Sequence, residues 1–384
     1  MVFAVSAGAT FVVTPFVRRL SLRLGWIDRP SDRKVHPKPT PTAGGIAMFV
    51  GVGAGLGVSR MVPFLAGLHK TTSDPDAALL AAVVVLIVGV IDDARGVSVI
   101  GKLAGQVLAA GLIVLLGVQL LYFYFPGQGT VVLDPSLAVP LTVLWVVAML
   151  NAVNLIDGLD GLAAGMVAIG AIAFFAYMYH APGVNGEPSS AALLSAIVAG
   201  AAIGFLPWNF YPAKIFMGDS GAMLLGMMMA VATISGVGRN AYPPTGGDLA
   251  AIAIPVALPL LVLAIPFLDV LLAIVRRMRK GLDVTHADKE HIHHRLMDIG
   301  HSHRQAVLLM YLWSALISAS ALAVGLIDGR LAVGAVLVAA IALFLMTALP
   351  RLERWRGRPE GTPAAEPTSP APGAGDDPAA EAQH

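Results

Sequence analysis

Stretch after stretch of this chain stays apolar for about the length a helix needs to cross a bilayer, and its charges are confined to the gaps. A spanning helix takes roughly 20 apolar residues. Eleven segments qualify: 1–20, 43–62, 77–92, 101–122, 136–151, 160–180, 190–208, 218–237, 249–275, 306–326 and 331–349. The chain is 57% hydrophobic and 13% charged, against about 25% charged in soluble proteins. Backbone polar groups in lipid must be satisfied within the segment, and apolar runs of this length do so as helices. The expected fold is therefore all-α, a polytopic integral membrane protein with about 11 transmembrane helices. Segment 249–275 holds Pro255, Pro259 and Pro266, so a kink or break is expected near Pro266. Residues 1–350 read as one multi-spanning catalytic domain. Residues 351–384, rich in Ala, Pro, Gly, Glu and Asp, read as a disordered tail.

The first segment lacks a basic n-region and reads as a helix that stays, not a cleaved leader. There is no cysteine, which removes disulfides, thiolate catalysis and Cys-based metal sites. A formal net charge of +1 gives no sign of a nucleic-acid partner. No internal repeat of the kind that marks secondary transporters is evident.

Sidedness follows from Lys and Arg. The odd-numbered connections and the tail hold 21 of the 25 basic residues, and the other side holds only Arg60, Lys70, Arg239 and Arg330. The N-terminus is thus expected outside and the C-terminus in the cytoplasm. Arg351, Arg354, Arg356 and Arg358 stand where they would meet anionic headgroups.

Five polar stretches all fall on the basic side: "DRKVHPKPTPTAGG" (32–45), "IDDARG" (91–96), "NAVNLIDGLDGL" (151–162), "NFYPAKIFMGDSGA" (209–222) and "HADKEHIHHRLMDIGHSHR" (286–304). Asp92 and Asp93 are adjacent, so on a helix they point about 100° apart and do not chelate as a simple pair. They fit either a solvated helix end or a functional pair. Asn154, Asp157 and Asp160 are spaced to share one face of a helix, with Gly158 and Gly161 leaving room for a ligand, although either acid would also serve as an N-cap. Asp219 is an N-cap or a carboxylate for Mg²⁺, whose sites use one or two protein carboxylates with substrate phosphates. His291, His293 and His294, beside Lys289 and Arg295, suit phosphate oxygens better than zinc; a solvated loop is the plain alternative, and His301 and His303 read as that. Asp269, inside the ninth segment, is a functional residue or a partner of a nearby basic group. Acids for a cation, basic and imidazole donors for phosphate, and glycines for close approach suit a diphosphate substrate meeting a second substrate from the membrane.

With these motifs in this order, the chain resembles the polyprenyl-phosphate N-acetylhexosamine-1-phosphate transferases over roughly residues 15–310. "HIHHRLMDIG" is similar to the N-acetylglucosamine branch and not to the muramoyl-pentapeptide branch, and eleven spans suit the former better than ten. The resemblance implies transfer of N-acetylglucosamine-1-phosphate from UDP-N-acetylglucosamine to a polyprenyl phosphate in the bilayer. UMP is released with Mg²⁺ or Mn²⁺, and the product is the first lipid intermediate of a cell-envelope polymer. It implies Asp92 as base, Asp93 as a contact to metal or phosphate, and Asp219 as metal ligand. Asn154, Asp157, Asp160, Asn209 and Phe216 would line the nucleotide pocket, Phe216 under the uracil. His293 and His294 would lie near the diphosphate. Lys102, and less clearly Lys38 or Lys34, would contact phosphate, as would His291. In-line single displacement is the expected mechanism, with an aspartyl-phosphate on Asp92 as the alternative. Rival readings are the muramoyl-pentapeptide transferase, a cation-coupled transporter and an aromatic prenyltransferase; a homodimer is among the assemblies the sequence allows.

Overall fold

The computed structural model describes residues 1–30, 38–125, 129–180, 188–237 and 301–326, with 334, 337–345 and 347. Its elements are α1 (Val2–Leu24), β1 (Ile27–Asp28), β2 (Thr40–Pro41), α2 (Gly45–Met61), α3 (Pro63–Ala66), α4 (Leu68–Thr71), α5 (Asp74–Arg95), α6 (Val99–Leu115), β3 (Tyr122–Phe125), β4 (Gly129–Val132), α7 (Pro135–Ile156), α8 (Leu162–His180), α9 (Ser190–Asn209), α10 (Gly218–Val237) and α11 (His303–Leu326). Seven of these helices are long and apolar enough to cross a membrane, and α2 with its continuation, bent by 96°, raises this to eight. The all-α expectation holds, with two small antiparallel additions. Ile27 and Asp28 pair with Pro41 and Thr40, and Tyr122–Phe125 forms a hairpin with Gly129–Val132.

Boundaries differ from the sequence expectation where capping competes with hydropathy. The short segment 77–92 becomes a 22-residue helix, α5. Pro75 and two acids open its first turn, and Gly96, at φ 75°, ends it, so Asp92 and Asp93 lie in its last turn. Segment 101–122 instead closes at Leu115. At 1.5 Å per residue its 17 residues reach about 26 Å, slightly less than the hydrocarbon thickness. The chain then turns at Gly117, φ 85°, into the hairpin. Segment 249–275, with Pro266 and Asp269, lies outside the described residues, as do most of 331–349 and the whole tail from 351.

α10 is the hub, packed by α5, α7, α9 and α2. Its Met223, Leu224, Leu225, Met227 and Met228 are fully buried, as expected of a helix apolar all round. The outer helices turn large apolar side chains outward: Phe11 and Phe16 on α1, Ile87 on α5, Leu108 and Leu115 on α6. Lipid is the natural solvent for such a surface. Small residues bring the helices close, as they do in bilayers. A Cβ at Gly204 of α9 would run into the backbone of Ala7 on α1, and Ser6 Oγ crosses to donate to the Ile197 carbonyl at 2.9 Å.

Gly204→Val should therefore pry α1 from α9 and lower the melting temperature in detergent by about 5 °C. Gly53→Val, on α2 where an added Cβ meets nothing within 4 Å, should leave it unchanged. Equal melting of the two variants would contradict this packing.

Candidate active site at the start of helix α10

The first N–H groups of a helix have no partner within it. At α10 the missing acceptor comes from another helix. Asp93 Oδ1 accepts from the Asp219 N–H at 2.9 Å, and Oδ2 accepts from the Ser220 N–H at 3.3 Å and from Ser220 Oγ at 2.6 Å. Thr42 Oγ1 donates to Asp93 Oδ1 at 3.4 Å. A carboxylate here also meets the positive end of the helix dipole. Two glycines make the approach possible. Gly218 has φ 66°, and a Cβ on it would collide with the Asp93 carboxylate and Thr42 Oγ1. One turn before Asp93, a Cβ on Gly89 would strike the Ser220 backbone.

Asp92 points elsewhere, as adjacent helical positions require. Its Oδ1 accepts from the Val97 N–H at 2.6 Å, and its Oδ2 pairs with the Lys102 ammonium at 2.7 Å. Ser98 caps the start of α6, accepting from the Gly101 N–H at 3.2 Å, and this sets Lys102 in the first turn. The same ammonium bonds Asp219 Oδ2. Asp219 Oδ1 accepts from Asn154 Nδ2, in the last turn of α7, at 2.6 Å. The Asp92, Lys102 and Asp219 side chains are 13%, 23% and 24% exposed, open to a ligand yet largely desolvated. Four helices thus meet at two carboxylates, one ammonium and one amide.

Asn154, Asp157 and Asp160 do not share a helix face. α7 stops at Ile156, and Asp157 leaves the helical region at ψ 44°. Asp157 stays near the cluster: burial first, then the charges of Asp219, Asp93 and Asp160, push its carboxyl up to about 8. Asp160 turns away and accepts from the Ala213 N–H at 2.9 Å. Asn209 is 1% exposed; its Oδ1 accepts from the Gly161 N–H and its Nδ2 donates to the Ile215 carbonyl, both at 3.1 Å. These two residues, expected in a nucleotide pocket, spend the polar atoms named here on backbone groups, and so tie the 157–161 turn to the 209–217 stretch as a floor beside the cluster. Phe216 is half-buried, its backbone tied to Pro41 and Gly44 at 2.8 and 3.0 Å. Lys38 stands exposed four residues before Thr42. His291, His293, His294 and Lys34 lie outside the described residues. Asp93, expected at a metal or phosphate, instead has both oxygens filled by α10 and Thr42.

Sequence reasoning passed over Thr42 and Ser220, although both sit inside quoted motifs. It also passed over Gln106, 1% exposed, which accepts from Asn151 Nδ2 at 2.7 Å. An amide one turn after Lys102 in an apolar helix was the available signal.

A carboxyl raised from 3.8 to about 8 holds its proton more tightly folded than unfolded. Stability is then lost as pH climbs through that window. In divalent-free detergent, Asp157→Asn should melt above wild type at pH 8, with the gap closing toward pH 4. A gap that widens on acidification would contradict this placement of Asp157.

Residues 77–237 match the Glycosyl transferase family 4 model. The decaprenyl-phosphate N-acetylglucosaminephosphotransferase of Mycolicibacterium smegmatis is 40% identical over 354 residues, 90% of this chain and 86% of the relative. A probable undecaprenyl-phosphate N-acetylglucosaminyl 1-phosphate transferase of Bacillus subtilis is 34% identical, covering 83% of each chain. The undecaprenyl-phosphate alpha-N-acetylglucosaminyl 1-phosphate transferase of Escherichia coli K12 is 30% identical, covering 79% of this chain and 77% of its own. With relatives this similar along nearly its whole length, the chain belongs to glycosyl transferase family 4.

Proposed function

We propose that the protein transfers N-acetylglucosamine-1-phosphate from UDP-N-acetylglucosamine to a polyprenyl phosphate, releasing UMP. The observation that carries this is the Asp92–Lys102–Asp219–Asn154 cluster at the end of a lipid-exposed bundle, in a chain whose relatives are named for that transfer to polyprenyl phosphates. Val99 and Ile100, at the start of α6 beside Lys102, are 84% and 81% exposed. They give a lipid phosphate an apolar approach to the cluster. The Lys and Arg asymmetry supports a cytoplasmic site, on the side where a water-soluble nucleotide sugar would be met.

The chemistry is displacement at phosphorus. An oxygen of the lipid phosphate forms a bond to the β-phosphorus, and the bond from that phosphorus to the bridging oxygen breaks. The electron pair leaves with UMP. Asp92 takes the proton of a protonated lipid phosphate, and the Lys102 ammonium is free to trade a carboxylate for a phosphate oxygen as substrate enters. Both Asp92 oxygens are already engaged, which favours a base and charge-holding role over a covalent aspartyl-phosphate.

The residues fit a divalent cation. Asp92 and Asp219 flank one described ammonium, and burial, then the charges of Asp219, Asp93 and Asp160, push the nearby Asp157 carboxyl up. Asp219 would hold the cation, Mg²⁺ or Mn²⁺, with Asp157 adding charge nearby. When bound, it supplies neutralisation of the diphosphate. Asp93 is left to hold α10. A cation-coupled transporter is disfavoured, because the described carboxylates cluster at helix ends and α8 and α9 carry no Asp, Glu, Lys or Arg.

Purified protein given UDP-N-acetylglucosamine, a polyprenyl phosphate and Mg²⁺ should release UMP, and UDP-N-acetylmuramoyl-pentapeptide should not replace the donor. Asp92→Asn and Asp219→Asn should each cut kcat by about a thousandfold while keeping the wild-type elution profile. Full activity of Asp219→Asn with Mg²⁺ present would overturn its assignment.

A further inference from the structure

α11 carries only the last two residues of the motifs above, His303 and Arg304, yet it grips the site's floor. The Tyr311 hydroxyl donates to the Gly161 carbonyl. The peptide before it is held as well, where the Gly161 N–H donates to Asn209 Oδ1 at 3.1 Å. Gly161 has φ 80°, and a Cβ there would crowd Phe210 at 3.1 Å and the Tyr311 hydroxyl at 3.4 Å. One turn on, a Cβ at Gly165 would fall within the Tyr311 ring. The two glycines form a slot that admits this ring and brings its hydroxyl to one carbonyl.

The start of α11 is itself fixed. Ser302 and Gln305 form a capping box: the Ser302 N–H donates to Gln305 Oε1 at 2.7 Å and the Gln305 N–H to Ser302 Oγ at 3.4 Å. From there His303 stacks on Tyr211 with ring centroids 4.3 Å apart. Arg304 Nε donates to the Tyr211 carbonyl at 3.2 Å. His303, which reads as a solvated loop residue in the sequence, is thus part of the floor's support. α11 touches both segments that border the cluster, the 157–161 turn and the 209–217 stretch.

We propose that Tyr311 is a positioning residue: its hydroxyl locks the Gly161 carbonyl and so holds the 157–161 turn that carries Asp157 and follows Asn154 at the edge of the cluster. This rests on the transferase reading only for its kinetic consequence; the geometric lock stands by itself. Tyr311→Phe keeps the ring in its slot and removes one hydrogen bond, whose loss is felt as roughly fivefold. In the intact detergent-solubilised chain, hydrogen exchange of a peptide covering 157–165 should speed up by about that factor, with peptides from α5 unchanged. With UDP-N-acetylglucosamine and polyprenyl phosphate, kcat should fall about fivefold while both KM values stay within about twofold.

If Tyr311 only fills space, Tyr311→Phe will match wild type in exchange and in kcat, and that result overturns the proposal. Tyr311→Leu and Gly165→Ala, which disturb the packing, would then be the only impaired variants. Should wild type release no UMP at all, the functional reading falls, and the exchange measurement still decides whether the lock exists.

Discussion

A carboxylate from the last turn of α5 caps the first turn of α10, and the rest of the site is arranged by that one junction. The cap costs little where Asp93 meets three donors from α10; buried without them, the same acid would be expensive. Because Asp92 is its neighbour, seating Asp93 under α10 turns Asp92 toward Lys102. Because Asp219 follows Gly218, the same contact aims Asp219 at Lys102 and Asn154. Two adjacent acids therefore have different partners, Asp93 the start of α10 and Asp92 the Lys102 ammonium, and the division follows from helical geometry.

The cluster holds more negative charge than its described cation balances. Burial and these neighbouring charges push the Asp157 carboxyl up. On the proposed function, a cation that arrives with a diphosphate would relieve it, so the site would trade stability for affinity.

Much of this was legible in the sequence. Apolar length alone marked the helices now seen as α1, α2, α5 to α10 and α11, because backbone satisfaction in lipid leaves few choices. The polar motifs marked Asp92, Asn154, Asp157 and Asp219, the family resemblance added Lys102, and the structure brings these together at one end. What hydropathy did not carry was local stereochemistry. It gave no sign that α7 would stop at Ile156, which sends Asp160 to the Ala213 N–H and not to the cluster. Nor did it show that Asn209 would be consumed by Gly161 and Ile215, or that α6 would close at Leu115. Each depends on a turn or a long-range backbone partner. Tyr311 was invisible for the same reason: its partner lies 150 residues away, in a slot made by two glycines.

The absence of native cysteine makes one test direct. With cysteines placed at 92 and 219 in oriented membrane vesicles, a membrane-impermeant thiol reagent should modify both from the same side, and a short bifunctional reagent should join them. Modification of the two positions from opposite faces of the bilayer would contradict the site described above.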